Sequence, residues 1–303
     1  MKKFVIKSIL YLFITLVIAN VLAYIGLRIL GKSDFFKTTY LVHHFPEGQA
    51  FDMAVFGSSR SLAAIDTKLI GESTGGLAVN FSMDYTALPS SLLMLEHFYA
   101  QGYTANWVVV SLDLPDFEES KTTISENDHR FLPYISNKYI RDYFLKYEEG
   151  NMIKPISISK YFPVLGFAYY NMELLAPAAQ ALIKPTFKYR FDELGNYQYP
   201  DYLAQQEMPE PRYFKTSLSN PVLKKIADLT KKNGSKLIIY IGPYLRDDIS
   251  VNPNVSYRVI NHSRLINEPK YFSDYIHVVN SGKKLATESF IEDFHKIDIQ
   301  PIN

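Results

Sequence analysis

The chain of 303 residues contains no cysteine. That excludes disulfide staples, a thiol nucleophile and any thiolate metal site. It leaves the redox compartment open, because a cysteine-free protein suits an oxidising and a reducing one alike. Net charge is lacking too: 32 Lys and Arg stand against 31 Asp and Glu, a formal +1. A nucleic-acid partner favours a basic patch or stripe, and this balance gives it no support. No glycine-rich loop has phosphate-cradling spacing. There is no internal repeat and no low-complexity tract. Neither a metal nor a cofactor is expected.

Aromatic residues are what the chain has in quantity, at 15%, mostly 23 Tyr and 20 Phe. Much of that belongs in a core. Some would suit stacking on sugar rings, and composition does not separate the two. At this length one or two domains are expected, with enough chain for a sizeable core.

Near the amino terminus, Lys2, Lys3 and Lys7 precede an apolar run from Ile9 to Leu27, with Asn20 its only strongly polar member. A helix of about 20 apolar residues crosses the hydrocarbon core of a bilayer. The leading lysines predict a cytoplasmic amino terminus, an asymmetry that Arg28 and Lys32 weaken without reversing. The competing reading is a cleaved signal peptide, whose apolar region runs roughly 7–15 residues and ends at small residues. This run is longer and passes through Tyr24-Ile25 without a small-x-small site. The expectation is a single-pass anchor over residues 1–31 and a juxtamembrane linker over 32–50. A soluble domain then follows, periplasmic or extracellular.

Over residues 51–303 strand and helix signals alternate. Met53–Phe56, Ala78–Phe81, Trp107–Leu112 and Leu237–Ile241 are short apolar runs that predict buried strands. Asp66 predicts the N-cap of a short helix. Pro89 and Pro221 each open an amphipathic helix, Gly234 stops the second, and Gly282 to Phe294 forms the last. Alternation of this kind implies an α/β sandwich with a mainly parallel sheet. Between about 115 and 219 the pattern breaks into an amphipathic stretch, Asn137 to Tyr147, and aromatic-rich sequence. Tyr161, Tyr169, Tyr170, Tyr189, Tyr197, Tyr199, Tyr202 and Tyr213 crowd this insertion. A lid or substrate platform and an ordinary helical subdomain with half-buried tyrosines fit it equally.

In open α/β sheets, sites form beyond the carboxyl ends of the strands. Gly57-Ser58-Ser59-Arg60 follows the first predicted strand, Asp113 and Asp116 the third, and Pro243 and Tyr244 a later one. Asp274-Tyr275-Ile276-His277 precedes the last helix. A serine hydroxyl needs a base within hydrogen-bond reach, and the base needs an orienting acceptor. His277 suits the base, because imidazole titrates near neutrality. Asp274, one turn earlier, suits the orienting role. An oxyanion needs N–H donors, for which the Ser59 N–H, Asn80 and the Ser82 N–H are candidates. Arg60 would either bind an anionic substrate group or, the reading preferred here, pair with a carboxylate such as Asp113; both residues are also candidate substrate contacts.

The order of these motifs resembles the SGNH (GDSL-like) hydrolase superfamily, where a Gly-Asp-Ser turn follows the first strand and Asp-x-x-His lies near the carboxyl end. Gly57-Ser58-Ser59 is similar to the first block with serine in place of aspartate, and the resemblance assigns the nucleophile to Ser59 rather than Ser58. It implies a Ser59, His277, Asp274 triad in a three-layer, flavodoxin-like sandwich. Gly-Ser-Ser behind an anchor is most similar to a membrane-bound branch. That branch includes the D-alanine-transfer protein of teichoic acid modification and proteins of exopolysaccharide O-acetylation. The implied activity is that of a serine esterase or O-acyltransferase. It would act on acyl esters, acetyl above all, of a surface or exported glycan, and an integral membrane acyltransferase is an implied partner. Two departures stand out: Ser82 near the glycine position of the second block, and no asparagine in the third, Ser111-Leu112-Asp113-Leu114-Pro115. They motivate a second reading, a catalytically reduced scaffold or carbohydrate-binding partner in an envelope-modifying complex. A metal-dependent protein using His43, His44 or His129 has poor ligand spacing. His97 reads as a surface or boundary residue. Glu118-Glu119 and Glu148-Glu149 read as solvated faces, and Lys231-Lys232 as helix-end cations.

Overall fold

The computed structural model describes residues 1–118, 123–149, 154–197 and 210–298. In chain order the elements are α1 (Lys2–Gly31), α2 (Lys37–His44), β1 (Ala50–Phe56), α3 (Ser59–Ala64), α4 (Thr67–Thr74), β2 (Ala78–Asn80), α5 (Leu88–Ala100) and β3 (Thr104–Ser111). Then come α6 (Lys138–Tyr147), α7 (Pro155–Ile158), α8 (Pro163–Tyr170), α9 (Met172–Ile183), β4 (Arg212–Thr216), α10 (Pro221–Lys232), β5 (Lys236–Ile241), β6 (Asp247–Val251), β7 (Arg258–Asn261) and α11 (Asn280–Asp298). The chain divides into two compact units, Met1–His44 with Asp128–Tyr189, and Phe45–Asn127 with Arg190–Asn303.

The second unit is α/β. Its five-stranded sheet has the order β2-β1-β3-β5-β7, and every pairing is parallel. Parallel strands need helical crossovers that cover the sheet, which is why β1, β3 and β5 read as continuous apolar runs. Met53, Val55, Trp107, Val109, Ile238 and Tyr240 share one core with Ala63 and Ala64 of α3 and with Ala286, Phe290 and Phe294 of α11. Phe51, Phe56, Phe81, Phe98 and Tyr103 form a separate aromatic cluster under α5. Phe290 is fully buried, so truncating it to alanine would cost about 3–5 kcal/mol.

The helix boundaries follow their capping residues. Asp66 accepts from the Lys68 and Leu69 N–H groups at the start of α4. Asn220 accepts from the Val222 N–H ahead of Pro221. Gly234, at φ 75°, ends α10 in the left-handed region. Two further features carried no apolar pattern in the sequence. One is β7 at the sheet edge; the other is the parallel pair β4 and β6, whose sequences Arg-Tyr-Phe-Lys-Thr and Asp-Asp-Ile-Ser-Val are too polar to read as buried strands.

The first unit is helical. Its α1 is one helix long and apolar enough to cross a membrane. The expected linker over 32–50 is in fact partly folded. Lys37 to Leu41 of α2 are buried, and Thr38 Oγ1 donates to Arg130 O at 2.5 Å. His43 Nε2 and Tyr134 OH both donate to Gly31 O, satisfying a carbonyl at the end of α1. Glu148, expected on a solvated face, is buried and accepts from Ile156 N, Ser157 N and Ser157 Oγ, capping α7. His97 in the second unit is likewise fully buried. In the tyrosine-rich stretch, Tyr170 is buried while Tyr161, Tyr169, Tyr189 and Tyr213 are exposed. Tyr199 and Tyr202, like Glu119, lie outside the described residues.

Candidate active site

β1 ends at Phe56, and the chain turns through Gly57 into α3. A Cβ on Gly57 would lie 2.9 Å from both Ser111 Cβ and Ser61 Cβ, so only glycine lets β1, β3 and α3 meet this closely. Ser58 is the N-cap: its Oγ accepts from Arg60 N at 3.2 Å and donates to Asp113 Oδ2 at 2.5 Å. Ser59 is the first helical residue and is half-buried. Its N–H is one of the donors a helix start leaves without an intrahelical acceptor.

Across the site, Asp274 makes an Asx turn, its Oδ1 accepting from Ile276 N at 2.8 Å and His277 N at 2.7 Å. Its other oxygen takes a 2.6 Å hydrogen bond from His277 Nδ1, and His277 Nε2 lies 2.8 Å from Ser59 Oγ. A carboxylate only accepts, so Nδ1 carries the proton and Nε2 is left to accept from the serine. Half-burial by itself would raise the Asp274 carboxyl. The His277 ring and the Ile276 and His277 N–H groups outweigh it and hold the carboxyl below its ordinary value.

Arg60 and Asp113 take the internal pairing, the preferred of the two roles expected of them, while Asn80 and Ser82 correct the expectation made for them. Arg60 and Asp113 were candidate substrate contacts, yet they bond each other, with Nη1 to Oδ1 at 3.1 Å and Arg60 only 3% exposed. Arg60 also donates from Nη2 to Gly242 O and Pro243 O and from Nε to Ile276 O. Its guanidinium lies 3.4 Å over the Tyr244 ring. A planar, five-donor group suits this crossing of four segments. Arg60 thus ties the Ser58-Ser59 turn to the loop carrying His277. Asn80 and Ser82, candidate oxyanion donors, are fully buried and turned inward. Asn80 Oδ1 accepts the Ser82 N–H at 3.0 Å, and Ser82 Oγ donates to Ser61 Oγ at 2.9 Å. Of the three oxyanion candidates, the Ser59 N–H is the one with no hydrogen-bond acceptor among the described residues.

Asp116 lies behind Asp113 and accepts from Leu88 N and Asp113 N. Burial and then the Asp113 charge push it up to about 7, against those N–H groups and Arg60. Tyr244 does more than its place after β5 suggested. Besides stacking on Arg60, its hydroxyl accepts from Leu114 N. Residues 60, 114 and 244 are joined only by the sheet, so no local sequence pattern marks the contact. No group of three or more His, Asp or Glu is placed to hold a metal ion among the described residues.

No protein-family model matches the chain, and no curated protein matches it either.

Proposed function

We propose that this protein is a membrane-anchored serine esterase or O-acyltransferase of the SGNH type, working by a Ser59, His277, Asp274 mechanism. The observation that carries the proposal is the unbroken hydrogen-bond path from Ser59 Oγ through His277 to Asp274, at 2.8 and 2.6 Å. His277 Nε2 takes the proton as Ser59 Oγ attacks the ester carbonyl. Asp274 holds the ring's tautomer and stabilises the imidazolium. The tetrahedral intermediate then collapses, its C–O bond breaks, and His277 returns the proton to the leaving hydroxyl. Water or an acceptor hydroxyl, deprotonated by His277, next attacks the acyl-Ser59 ester and releases Ser59. The Ser59 N–H faces the developing oxyanion.

The three-layer arrangement is supported by two groups of contacting helices, α5 with α10, and α11 with α3 and α4. An apolar α1 behind Lys2, Lys3 and Lys7 supports a domain outside the cytoplasm. The substrate we propose is an acyl ester, acetyl first, of a surface glycan. The test is labelling of the full chain in detergent with a fluorophosphonate probe. Labelling is expected in the native protein and in Ser58→Ala and lost in Ser59→Ala. Labelling that survives Ser59→Ala would overturn the assignment.

A second reading is favoured by the inward turn of Asn80 and Ser82, which leaves a sparse oxyanion site. In it the protein binds an integral membrane acyltransferase or a glycan without turnover. A pull-down that recovers such a partner equally well with Ser59→Ala, from a protein that never labels, would favour it.

A further inference from the structure

The apolar helix α1 has two different halves. From Phe4 to Ile18 its side chains are exposed on all sides. From Ala19 onward one stripe is covered: Ala23, Leu27 and Leu30 are buried, while Val21, Leu22, Tyr24 and Ile25 on the remaining surface stay exposed. The cover comes from α8 and α9. Asn20, the one strongly polar residue of the run, accepts from Val164 N in the first turn of α8 at 3.3 Å. It supplies an acceptor to a helix start that would otherwise lack one. A Cβ on Gly26 would sit 2.8 Å from Phe167 Cζ, so α8 approaches α1 as closely as that glycine allows.

The bare half of α1 is too short for its task. At 1.5 Å per residue, Phe4 to Ile18 covers about 22 Å, against roughly 30 Å of hydrocarbon. A spanning α1 must therefore be immersed beyond Asn20, to about Ala23, and the chain bonded to Asn20 goes with it.

The composition of α9 agrees. Met172–Ile183 is an apolar helix whose polar members are Glu173, in its first turn, and Gln180. It buries Leu174, Pro177, Ala178 and Ala181, yet Met172, Leu175, Ala176, Ala179, Leu182 and Ile183 on its outer surface are equally apolar. Leu182 and Ile183 are 67% and 81% exposed. A helix apolar on nearly every side belongs in a protein core or in lipid. Exposed Tyr161, Phe162 and Tyr169 beside it suit the membrane–water boundary. Lys160, 5.2 Å from the Tyr161 ring centre, and Lys184 just past α9 would face anionic headgroups.

We propose that α8 and α9 are a second membrane element, a helix pair lying in the interfacial and upper hydrocarbon layer of the bilayer that α1 crosses. Its partner is lipid. The proposal rests on the reading of α1 as a span, not on the catalytic reading. Because the chain lacks cysteine, single cysteines can be introduced cleanly. Leu175→Cys and Leu182→Cys report on α9, Leu12→Cys on α1, and Lys231→Cys on α10 as a water-exposed control.

The full chain, spin-labelled at each site, is reconstituted into vesicles of phosphatidylcholine and phosphatidylglycerol. Its accessibility to oxygen is compared with that to a water-soluble nickel complex. The oxygen-to-nickel ratio at Leu175 and Leu182 is expected to match Leu12 and exceed Lys231 severalfold. Water-like ratios at Leu175 and Leu182 beside a lipid-like Leu12 would overturn the proposal and leave the anchor standing. Protection of α9 that arises only when a membrane protein is added would overturn it in favour of a protein partner. A water-like Leu12 would overturn the anchor and this proposal together.

Discussion

Among the described residues of the α/β unit, two His–Asp pairs differ in the respects that bear on chemistry. His277 bonds Asp274 through Nδ1 at 2.6 Å and presents Nε2 to Ser59, with the ring 15% and the carboxylate 44% exposed. His262 bonds Asp293 through Nε2 at 3.1 Å, its ring is 5% exposed, and its Nδ1 is buried with no partner among the described residues. Burial, opposed by the Asp293 contact, lowers the His262 pKa below its ordinary value. Under the proposed mechanism, a His–Asp pair alone is therefore not a catalytic device. What distinguishes the first is a hydroxyl on its second nitrogen and an opening to solvent.

The largest effects are expected at Ser59 and His277. Ser59→Ala and His277→Ala are each expected to lower ester turnover about 10⁴-fold or more with the fold intact, because members of one triad act as a unit. Full activity in both variants would place the chemistry elsewhere. Asp274→Asn should follow at roughly 10³–10⁴-fold in kcat, through the wrong tautomer of His277. The matching Asp293→Asn should leave turnover unchanged, and a comparable loss there would erase the distinction between the pairs.

Arg60→Lys tests what holds the first pair in place. Lysine cannot span Asp113, Gly242, Pro243 and Ile276 together, so kcat should fall about ten- to hundredfold through misplacement of His277. Arg60→Met should fall further, whereas a raised KM with normal kcat would return Arg60 to substrate binding. Ser58→Ala removes an N-cap worth about 1 kcal/mol. It should lower the melting temperature while leaving probe labelling intact, which separates the two adjacent serines.

His262 gives the second pair a signature in the pH dependence of stability. Its folded pKa lies below the unfolded value near 6.5, so the unfolded chain takes up the proton first as pH falls. Its contribution to stability is complete above about pH 6.5 and is lost below it. The melting temperature should drop on acidification, and His262→Gln should flatten that drop. An unchanged slope would mean that the fold does not lower the His262 pKa.

Which of these groups were legible beforehand follows from where their determinants lie. Ser59 sits behind a four-residue apolar run and a glycine, and Asp274 and His277 lie one turn apart, so each half of the site has a local signature. The strands β1, β3 and β5 were equally readable, since parallel strands covered by helices must be apolar throughout. β4, β6 and β7 left no such mark. The same holds for Arg60, whose partners Asp113, Gly242 and Ile276 come from three distant segments. Its two roles, substrate contact or internal pairing, differ only in what surrounds it. Asn80 and Ser82 kept the residue types that an oxyanion site uses, but Ser82 donates to Asn80 Oδ1 and Ser61 Oγ, and Asn80 Nδ2 donates to Ile65 O.

The sequence by itself determined the apolar span of α1, the α/β alternation, the turn that carries Ser59 and the Asx turn that orients His277. All of these depend on neighbours within a few positions, through periodicity, capping and turn chemistry. Only the tertiary structure decided that Ser59 Oγ and His277 Nε2 stand 2.8 Å apart across 218 positions. It alone decided that Arg60 is consumed in binding those segments together, and that Asn20 bonds the start of α8. Such contacts arise where the sheet and the packed helices bring distant residues together, and a buried polar group must take the partner that folding places beside it.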